Sequence, residues 1–361
     1  MSKTLEPLVT ANDIPTTTQV VIIGGGIVGV TAALALAERG VPVVLLEKGH
    51  IAGEQSSRNL GWIRKTSRHA HDVPLSLAAD TLWANLPERI GRSVGYRQAG
   101  ITFLARTPEQ MAMYEAWHQS VQDLALDSQL LTPRQIDAAI PGGQGQWVGG
   151  IHTPSDGYAE PTVTTTAIAA AAQKRGAVLI QHCAVRGLSL SGGQVSGVVT
   201  EQGDIRCEQV LLAGGAWSRR FLGNVGVSLP TLPLVCSVLR TRPMTGPTDT
   251  AVGGPDFSFR KHQDGGYIIT QRGKLDAPLT LDHLLIGWRY LAQLRTQRSF
   301  LKIGFGQTFF RDLWLKRRWQ NHRRSPFERI RTMEPNVNDV LNQDALDNLK
   351  AAWPVFNDAA I

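Results

Sequence analysis

Three glycines and one acidic residue near the start of the chain have the types and spacing of a dinucleotide site. Gly24, Gly26 and Gly29 match the pattern G-x-G-x-x-G. In this pattern the first glycine permits a tight turn, the second lets the backbone approach a pyrophosphate, and the third lets a helix pack closely on a strand. Glu47 lies 18 residues after Gly29, where a carboxylate can accept hydrogen bonds from a ribose. An acid at this position disfavours a 2′-phosphate, and hence NADP.

These residues need a strand, a helix and a second strand to bring them together. Residues 19–23 predict a strand buried on both faces, residues 27–39 an alanine- and leucine-rich helix, and Val43–Leu46 the next strand. The N-terminus of the helix would then face the phosphates with free N–H groups and the positive end of its dipole. A glycine-rich turn without a ligand is the alternative. The ordered succession of strand, glycines, helix, strand and acid favours the dinucleotide site.

Three later segments add small and polar residues that suit a long cofactor. Residues 51–62 form a loop of such residues directly after Glu47. Residues 154–161 have the pattern P-x-D-G-x-x-x-P before an alanine-rich helix, and residues 209–218 are an apolar strand that opens into small residues. Each segment alone could be an ordinary loop or strand, and Asp156 is better explained by a turn-stabilising role than by catalysis. Their order along the chain makes them informative.

In this order the segments resemble the family of glycine and D-amino acid oxidases (the DAO family), which also includes sarcosine oxidases, amino-acid dehydrogenases and membrane-associated amino-acid deaminases. The resemblance implies that the cofactor is FAD, with NAD as the less favoured alternative. In the family, the loop at 51–62 wraps FAD from the pyrophosphate to the isoalloxazine. Together, the glycine motif and the resemblance place FAD at Gly24, Gly26, Ile27, Val28, Gly29, Glu47, Lys48, Gln55, Ser56, Ser57, Asn59, Gly61, Trp62, Val185, Ala213, Gly214 and Trp217.

The resemblance implies a mixed α/β (α+β) fold, in which a Rossmann-like FAD-binding domain carries an antiparallel-sheet substrate domain. Alternating apolar residues predict a strand at 96–104 and a hairpin that pairs 257–260 with 267–270. The expected division is 18–85 with 150–229 for the FAD-binding domain, and 86–149 with 230–361 for the substrate domain.

An amino-acid substrate would need a cationic partner for its carboxylate, and the planar fork of arginine suits that role. Arg260 is the first candidate, because the family places this hairpin strand near the flavin; Gln98 is a weaker one. A solvent-facing arginine is the alternative. The implied reaction is hydride transfer from the α-carbon of an amino acid or secondary amine to flavin N5, followed by hydrolysis of the imine to an oxo acid and ammonia or an amine. The nine histidines form no ligand pattern, so no metal site is expected.

The net charge of +7 is concentrated in one segment, since residues 289–331 carry +10 and the remainder −3. Residues 281–331 interrupt the family pattern and are interpreted as a basic insertion. Part of it, 306–320, has the pattern of a basic amphipathic helix. A membrane surface is the favoured partner, with oxygen or a quinone as the electron acceptor. The alternatives are a helix packed on the core, and an RNA-binding stretch as in flavoproteins that modify tRNA bases.

The ends of the sequence and its cysteines bear on location and completeness. Three scattered cysteines and an N-terminus without signal-peptide features predict a cytoplasmic protein, peripheral on the inner face of the membrane if the basic segment binds lipid. The family pattern normally ends in a glycine-rich segment that covers the flavin ring, and no counterpart is present. A truncated, inactive fragment is therefore the alternative to an active enzyme.

Overall fold

The structure is a computed structural model that describes residues 5–297, 300–333 and 337–361. Its β-strands, in chain order, are β1 (Val20–Ile23), β2 (Val43–Leu46), β3 (Trp62–Ile63), β4 (Ile101–Ala105), β5 (Gln129–Leu131), β6 (Gly149–Thr153), β7 (Gly157–Tyr158), β8 (Val178–Ile180), β9 (Val185–Ser191), β10 (Gln194–Thr200), β11 (Asp204–Arg206), β12 (Gln209–Leu212), β13 (Val238–Arg240), β14 (Ala251–Gly253), β15 (Ser258–Lys261), β16 (Tyr267–Thr270), β17 (Leu275–Pro278) and β18 (Leu301–Gly304). Its α-helices are α1 (Ile27–Ala37), α2 (Val73–Ala84), α3 (Leu86–Ile90), α4 (Pro108–Ser120), α5 (Pro133–Ala139), α6 (Pro161–Lys174), α7 (Ser218–Asn224), α8 (Leu281–Ile286), α9 (Leu291–Gln297), α10 (Gln307–Trp314), α11 (Pro326–Arg329) and α12 (Asp339–Ala352).

A four-stranded parallel sheet carries the glycine motif, with the strand order β12, β1, β2, β8. Helices α1 and α6 pack together beside this sheet, and every residue of β1 and β2 is buried. A strand covered on both faces needs apolar side chains throughout, which explains the unbroken Val, Ile and Leu of these two strands. The predicted strand–helix–strand unit is therefore confirmed, with the helix ending at Ala37 rather than at residue 39.

The second large sheet has seven strands, in the order β13, β16, β15, β14, β4, β6, β5. All its pairs are antiparallel except β14 with β4. The predicted hairpin is confirmed as β15 and β16, with Phe259 opposite Ile269. The strand expected at 96–104 begins only at Ile101, because Gly100 has φ +75° and Arg97 pairs instead with Tyr158. Strand β6 belongs to this sheet, whereas the expected division assigned most of it to the FAD-binding domain.

Residues 281–331, interpreted above as a basic insertion, are not separate from the rest of the fold. Their last part packs on the half of the molecule that contains the parallel sheet. Trp319 donates a hydrogen bond of 2.7 Å from Nε1 to the Arg186 carbonyl. Phe327 is 5% exposed and packs edge-to-face on Trp217. Earlier in the segment, α8 and α10 pack together and β18 pairs with β17. The first part of the segment is thus a surface layer, and the second is part of the core.

An ion pair fastens this second part to β9. Glu328 accepts two hydrogen bonds of 2.9 Å from Arg186 and one of 2.8 Å from the Ser325 N–H. Burial acts against ionisation, but these donors outweigh it and hold the pKa of Glu328 at about 2. The charged form is therefore the one that stabilises the fold.

Replacing Glu328 by Gln is expected to lower the free energy of unfolding by about 1–3 kcal/mol at pH 7, because a charge-assisted pair is lost. Since the folded-state pKa lies below the ordinary value of 4.5, the contribution is complete above that pH and is lost as the pH falls towards 2. Urea unfolding of the wild type and of Glu328→Gln across this range measures the difference. Glu115→Gln, at an exposed site on α4, is the control. A difference that does not shrink with acid would contradict the prediction.

Candidate cofactor and substrate site

A cavity of about 540 Å³ lies at the carboxyl ends of β1, β2 and β12. This is the edge where open parallel sheets bind ligands, and the volume lies within the range of about 300–1,000 Å³ that is usual for such sites. Its walls come from the turn between β1 and α1, the loop that follows β2, the start of β9 and the turn that follows β12. Segments distant in sequence therefore meet around one space.

The glycine turn forms a floor that only glycine permits. Gly24 has φ +114°, and a Cβ placed there would lie 2.5 Å from the Ala213 carbonyl oxygen. A Cβ on Gly29 would lie 2.0 Å from the Gly24 carbonyl oxygen. Ser56 contacts the end of this turn, where its Oγ accepts a hydrogen bond of 2.9 Å from the Ile27 N–H. The cavity thus meets bare backbone at the N-terminus of α1, where first-turn N–H groups favour an anion.

Glu47 is held in place by backbone donors at the end of β2. Its two carboxylate oxygens accept hydrogen bonds of 2.7 Å from the Gly25 N–H and 2.8 Å from the Gly49 N–H. Burial raises the pKa of Glu47, although both N–H groups act in the opposite direction. Each carboxylate oxygen has a further lone pair, so this fixed group can also accept hydroxyl hydrogens from the cavity.

Another part of the cavity lining combines a cation, an acid and two aromatic rings. Lys48 Nζ lies 4.6 Å from the ring centroid of Trp217 and 2.8 Å from Glu54 Oε1. Trp217 Nε1 donates to both oxygens of Glu54, at 3.2 and 3.0 Å. Phe327 packs behind Trp217, which brings the basic segment into the cavity wall. These contacts give the wall a defined position before any ligand is bound.

Arg260 occupies a different environment from the one expected. It is fully buried and donates to Glu160 Oε1 and Oε2 at 2.9 and 3.0 Å, and its guanidinium lies 4.9 Å from the ring centroid of Tyr158. It does not line the cavity. Because Glu160 already uses the planar fork, the expected role of Arg260 in binding a substrate carboxylate is replaced by an internal ion pair. Gln98 is exposed before β4 and is also outside the cavity.

Two other arginines flank Phe103, on the strand β4 of the seven-stranded sheet. The guanidinium of Arg272 lies 4.1 Å from the Phe103 ring centroid, and that of Arg64 lies 5.7 Å from it. Among the residues that the structure describes, neither has a carboxylate within 4.0 Å. Burial, with the nearby Arg68 and Arg272, lowers the pKa of Arg64 to about 10. This group of cations around one ring, here called the Phe103 niche, is a place where an added carboxylate would be stabilised.

The Phe103 niche is joined to the cavity by a short stretch of chain. Asn59 lines the cavity, and Trp62, three residues later, packs on Phe103 at a centroid distance of 5.6 Å. The indole Nε1 of Trp62 is buried without an acceptor among the described residues. Gly253 makes room on the other side, since a Cβ there would lie 2.7 Å from Arg272 Nη1. Sequence inspection missed Arg64 and Arg272 because only the topology brings residues 64, 103 and 272 together.

The structure brings most of the residues expected to bind the cofactor to one cavity. Those that line it are Gly24, Gly26, Ile27, Val28, Glu47, Lys48, Gln55, Ser56, Asn59, Val185, Ala213, Gly214 and Trp217. Those that lie outside it are Gly29, Ser57, Gly61 and Trp62. Sequence inspection missed lining residues including Glu54, Cys183, Gly215 and Phe327. Glu54 and Gly215 adjoin recognised motifs, whereas no local signal indicates Phe327. Within the described ranges, no three potential metal ligands cluster.

A model of the FAD dependent oxidoreductase family (DAO) matches residues 19–356. The chain belongs to this family. The solved structure of an L-amino acid deaminase from Proteus myxofaciens is similar over 100% of this chain and 82% of its own, with 31% identity and a TM-score of 0.95. The expected α/β fold and the expected family are confirmed by these two similarities.

Two curated mammalian relatives match shorter regions. The human mitochondrial dimethylglycine dehydrogenase is 30% identical over 224 residues, which is 60% of this chain and 25% of that protein. The mouse mitochondrial pyruvate dehydrogenase phosphatase regulatory subunit is 28% identical over 265 residues, 71% of this chain and 30% of that protein. The chain thus spans about a quarter to a third of the length of these relatives.

The residues around the cavity fit FAD, the cofactor of the DAO family. A long and narrow dinucleotide needs bare backbone at its phosphates, and the glycine turn supplies a floor where Gly24 leaves no space for a side chain. It needs a fixed acceptor for ribose hydroxyls, which Glu47 supplies. The small residues Ala213 and Gly214 leave room along the wall that the turn after β12 forms. The cofactor prediction is therefore confirmed by the family and agrees with the geometry.

Proposed function

We propose that this DAO-family oxidoreductase oxidises an α-amino acid, whose carboxylate is held by Arg272 and Arg64 in the Phe103 niche. The supporting observation is the pair of guanidinium groups without an acidic partner in the described residues. Two cations that repel each other are stabilised by a nearby anion. Arg260 stays paired with Glu160, which links β15 to the start of α6.

The proposed role of the protein is to position the substrate and to control its protonation. FAD, when bound, supplies the two-electron acceptor for the hydride that leaves the α-carbon. Holding the carboxylate at Arg272 fixes the direction of the α-carbon, and the cationic niche favours an amine without its proton, since a third positive charge would be repelled. The free base can donate electron density to the departing hydride, whereas an ammonium group cannot. Water then hydrolyses the imine to an oxo acid and ammonia.

The absorbance spectrum of the purified chain with FAD tests this proposal. We expect stoichiometric flavin absorbance that is bleached anaerobically by one or more α-amino acids, and far more slowly by the matching amines that lack a carboxylate. Panels of L- and D-amino acids identify the stereochemistry. Bleaching by amines alone would contradict the amino-acid proposal, and a protein that stays free of flavin would contradict the enzyme as a whole.

We also propose that the surface layer of the basic segment rests on a membrane, from which a quinone accepts the electrons, with oxygen as the alternative acceptor. Its exposed apolar side chains are Leu284, Leu285, Trp288, Leu291, Phe300, Ile303, Phe305, Phe310, Leu313 and Trp314. Such a concentration of apolar surface beside basic residues suits an interfacial contact. No helix in the described residues is both long and apolar enough to span a bilayer. The exposed apolar and basic side chains support our proposal that this contact is peripheral, at the inner face of the membrane.

Trp314→Ser is expected to weaken binding to phospholipid vesicles about tenfold, because this 84% exposed side chain would be buried on contact. Vesicle co-sedimentation over a range of lipid concentrations measures the loss. Met113→Ser, which changes a 69% exposed apolar residue on α4, is the matched control and is expected to have no effect. Equal binding by both variants would contradict the membrane contact. A gel shift with RNA that Trp314→Ser weakens would favour the nucleic-acid alternative.

A further inference from the structure

A second cavity, of about 250 Å³, lies between α7 and the basic segment. Arginines dominate its lining, and we call it the arginine cavity. It is defined by Arg219, Arg220, Arg317 and Arg318, together with Asp282 and Ser228. No residue of the cofactor cavity or of the Phe103 niche is among them.

The two acids at this cavity are shared, and they do not balance the arginines. Asp282 Oδ1 lies 2.9 Å from Arg219 Nε and accepts a hydrogen bond of 2.8 Å from Arg317 Nη1. Asp312, just outside the lining, bonds to Arg220 and accepts a hydrogen bond of 3.1 Å from Arg317 Nη2. Four guanidinium groups therefore face two carboxylates, and two positive charges are left over.

The hydrogen-bonding capacity of the arginines is also incompletely used. The Nε atom of Arg317 is buried without a hydrogen-bond acceptor in the described part of the chain, and the Nε atom of Arg219 pairs with Asp282 without the alignment of a hydrogen bond. Arg318 lines the cavity, is exposed, and has no partner among the described residues. An arrangement of this kind favours an anion with several oxygens, because arginine forks bind phosphate oxygens in pairs.

The neighbouring surface indicates which phosphate compound fits. Asp282, in the cavity wall, lies on α8, and the same helix exposes Leu284 and Leu285. Helix α10, which packs on α8, exposes Phe310 and Trp314, and Arg317 follows it by three residues. A phosphate bound in the cavity would thus lie beside apolar surface. We propose that the arginine cavity binds the phosphate group of an anionic phospholipid whose acyl chains lie on these apolar side chains; the inference rests on the proposed membrane contact.

Binding of the FAD-loaded chain to two kinds of vesicle tests the inference. One kind contains phosphatidylcholine alone, and the other also contains phosphatidylglycerol. We expect the wild type to prefer the anionic vesicles at least about tenfold at physiological salt. Arg219→Met and Arg318→Met are expected to weaken binding to anionic vesicles by about thirtyfold each, because each removes both a charge and a phosphate contact. Since Arg318 has no partner, its variant tests the site without disturbing the ion pairs.

Arg311→Met is the matched control, because it removes one exposed charge from α10 outside the cavity. Its expected loss is about fivefold, the effect of one surface charge near an anionic bilayer. Equal losses for all three arginine variants would overturn the cavity, while vesicle binding that Trp314→Ser weakens would leave the membrane contact standing. Failure to bind either vesicle would overturn both.

Inorganic phosphate separates a lipid from a soluble ligand. At constant ionic strength, we expect phosphate to raise the melting temperature only slightly, because a free ion contacts the arginines but not the apolar surface. If phosphate raised the melting temperature of the wild type but not of Arg219→Met, and the wild type showed no preference for anionic vesicles, the cavity would belong to a soluble phosphate compound and the lipid assignment would be overturned.

Discussion

Gly24→Ala is expected to yield a folded protein that has lost FAD. The added Cβ would lie 2.5 Å from the Ala213 carbonyl oxygen, and both the turn and β12 would have to shift. The backbone at φ +114° is in addition one that alanine rarely adopts. Since this turn is the floor of the cavity, we expect FAD affinity to fall at least about a hundredfold, or roughly 2.7 kcal/mol. The ratio of flavin to protein absorbance, titrated with added FAD, measures this loss.

Gly40→Ala separates the steric clash from the cost of the backbone conformation. Gly40 also has a positive φ, of +71°, but a Cβ there would meet nothing within 4 Å. We expect this control to lose about 1–2 kcal/mol of stability while it keeps FAD. If Gly40→Ala lost flavin to the same extent as Gly24→Ala, the effect would reflect general destabilisation, and the proposed floor of the cofactor site would be contradicted.

Arg272→Met is expected to lower kcat/KM for α-amino acids by about a hundredfold to a thousandfold, or roughly 3–4 kcal/mol, because a partly desolvated carboxylate would lose its charged partner. Methionine keeps the contact with the Phe103 ring and removes the charge. Steady-state rates with an amino acid and with its matching amine measure the effect. Only the amino acid has a carboxylate, so we expect the amine rate to change by less than about threefold.

Two further arginine variants define what this result would mean. Arg242→Met changes an exposed arginine that precedes the same hairpin, and no effect on kinetics is expected. Arg260→Met would leave Glu160 charged and buried, so its main expected effect is on stability, by about 3–5 kcal/mol. A decrease for the amine as large as that for the amino acid would contradict the carboxylate role of Arg272 and indicate that it only supports the niche.

The cofactor half of the site could be predicted because its information is local. The run from β1 to Glu47 encodes strand, turn, helix and acid in about thirty residues, and each physical requirement selects a residue type. Gly24 and Glu47 line the cavity, as expected from spacing alone. Gly29 lies outside the lining, but its contact with the Gly24 carbonyl oxygen is the helix packing that the pattern requires.

The substrate half could not be predicted because its information is not local. Arg260 and Arg272 lie on one hairpin or directly after it, and both have the types expected of a carboxylate partner. What separates them is Glu160, a hundred residues away, which binds one and not the other. Ion pairing over such distances depends on topology, which periodicity does not record. The same reason hid Phe327, since its place in the cavity wall depends on how the basic segment folds back.

The packing of the end of the basic segment against the cofactor cavity limits how much of that segment can be deleted. A shortened form with better solubility would naturally omit the whole of 281–331, with all its exposed apolar side chains. Such a cut would also remove Phe327, the aromatic backing of Trp217, and the Glu328 anchor of Arg186. A deletion that stops before Trp319 would remove the exposed apolar side chains and retain the residues that form the wall of the cofactor cavity. The useful boundary for a crystallisation or biocatalysis variant therefore lies inside the segment rather than at its end.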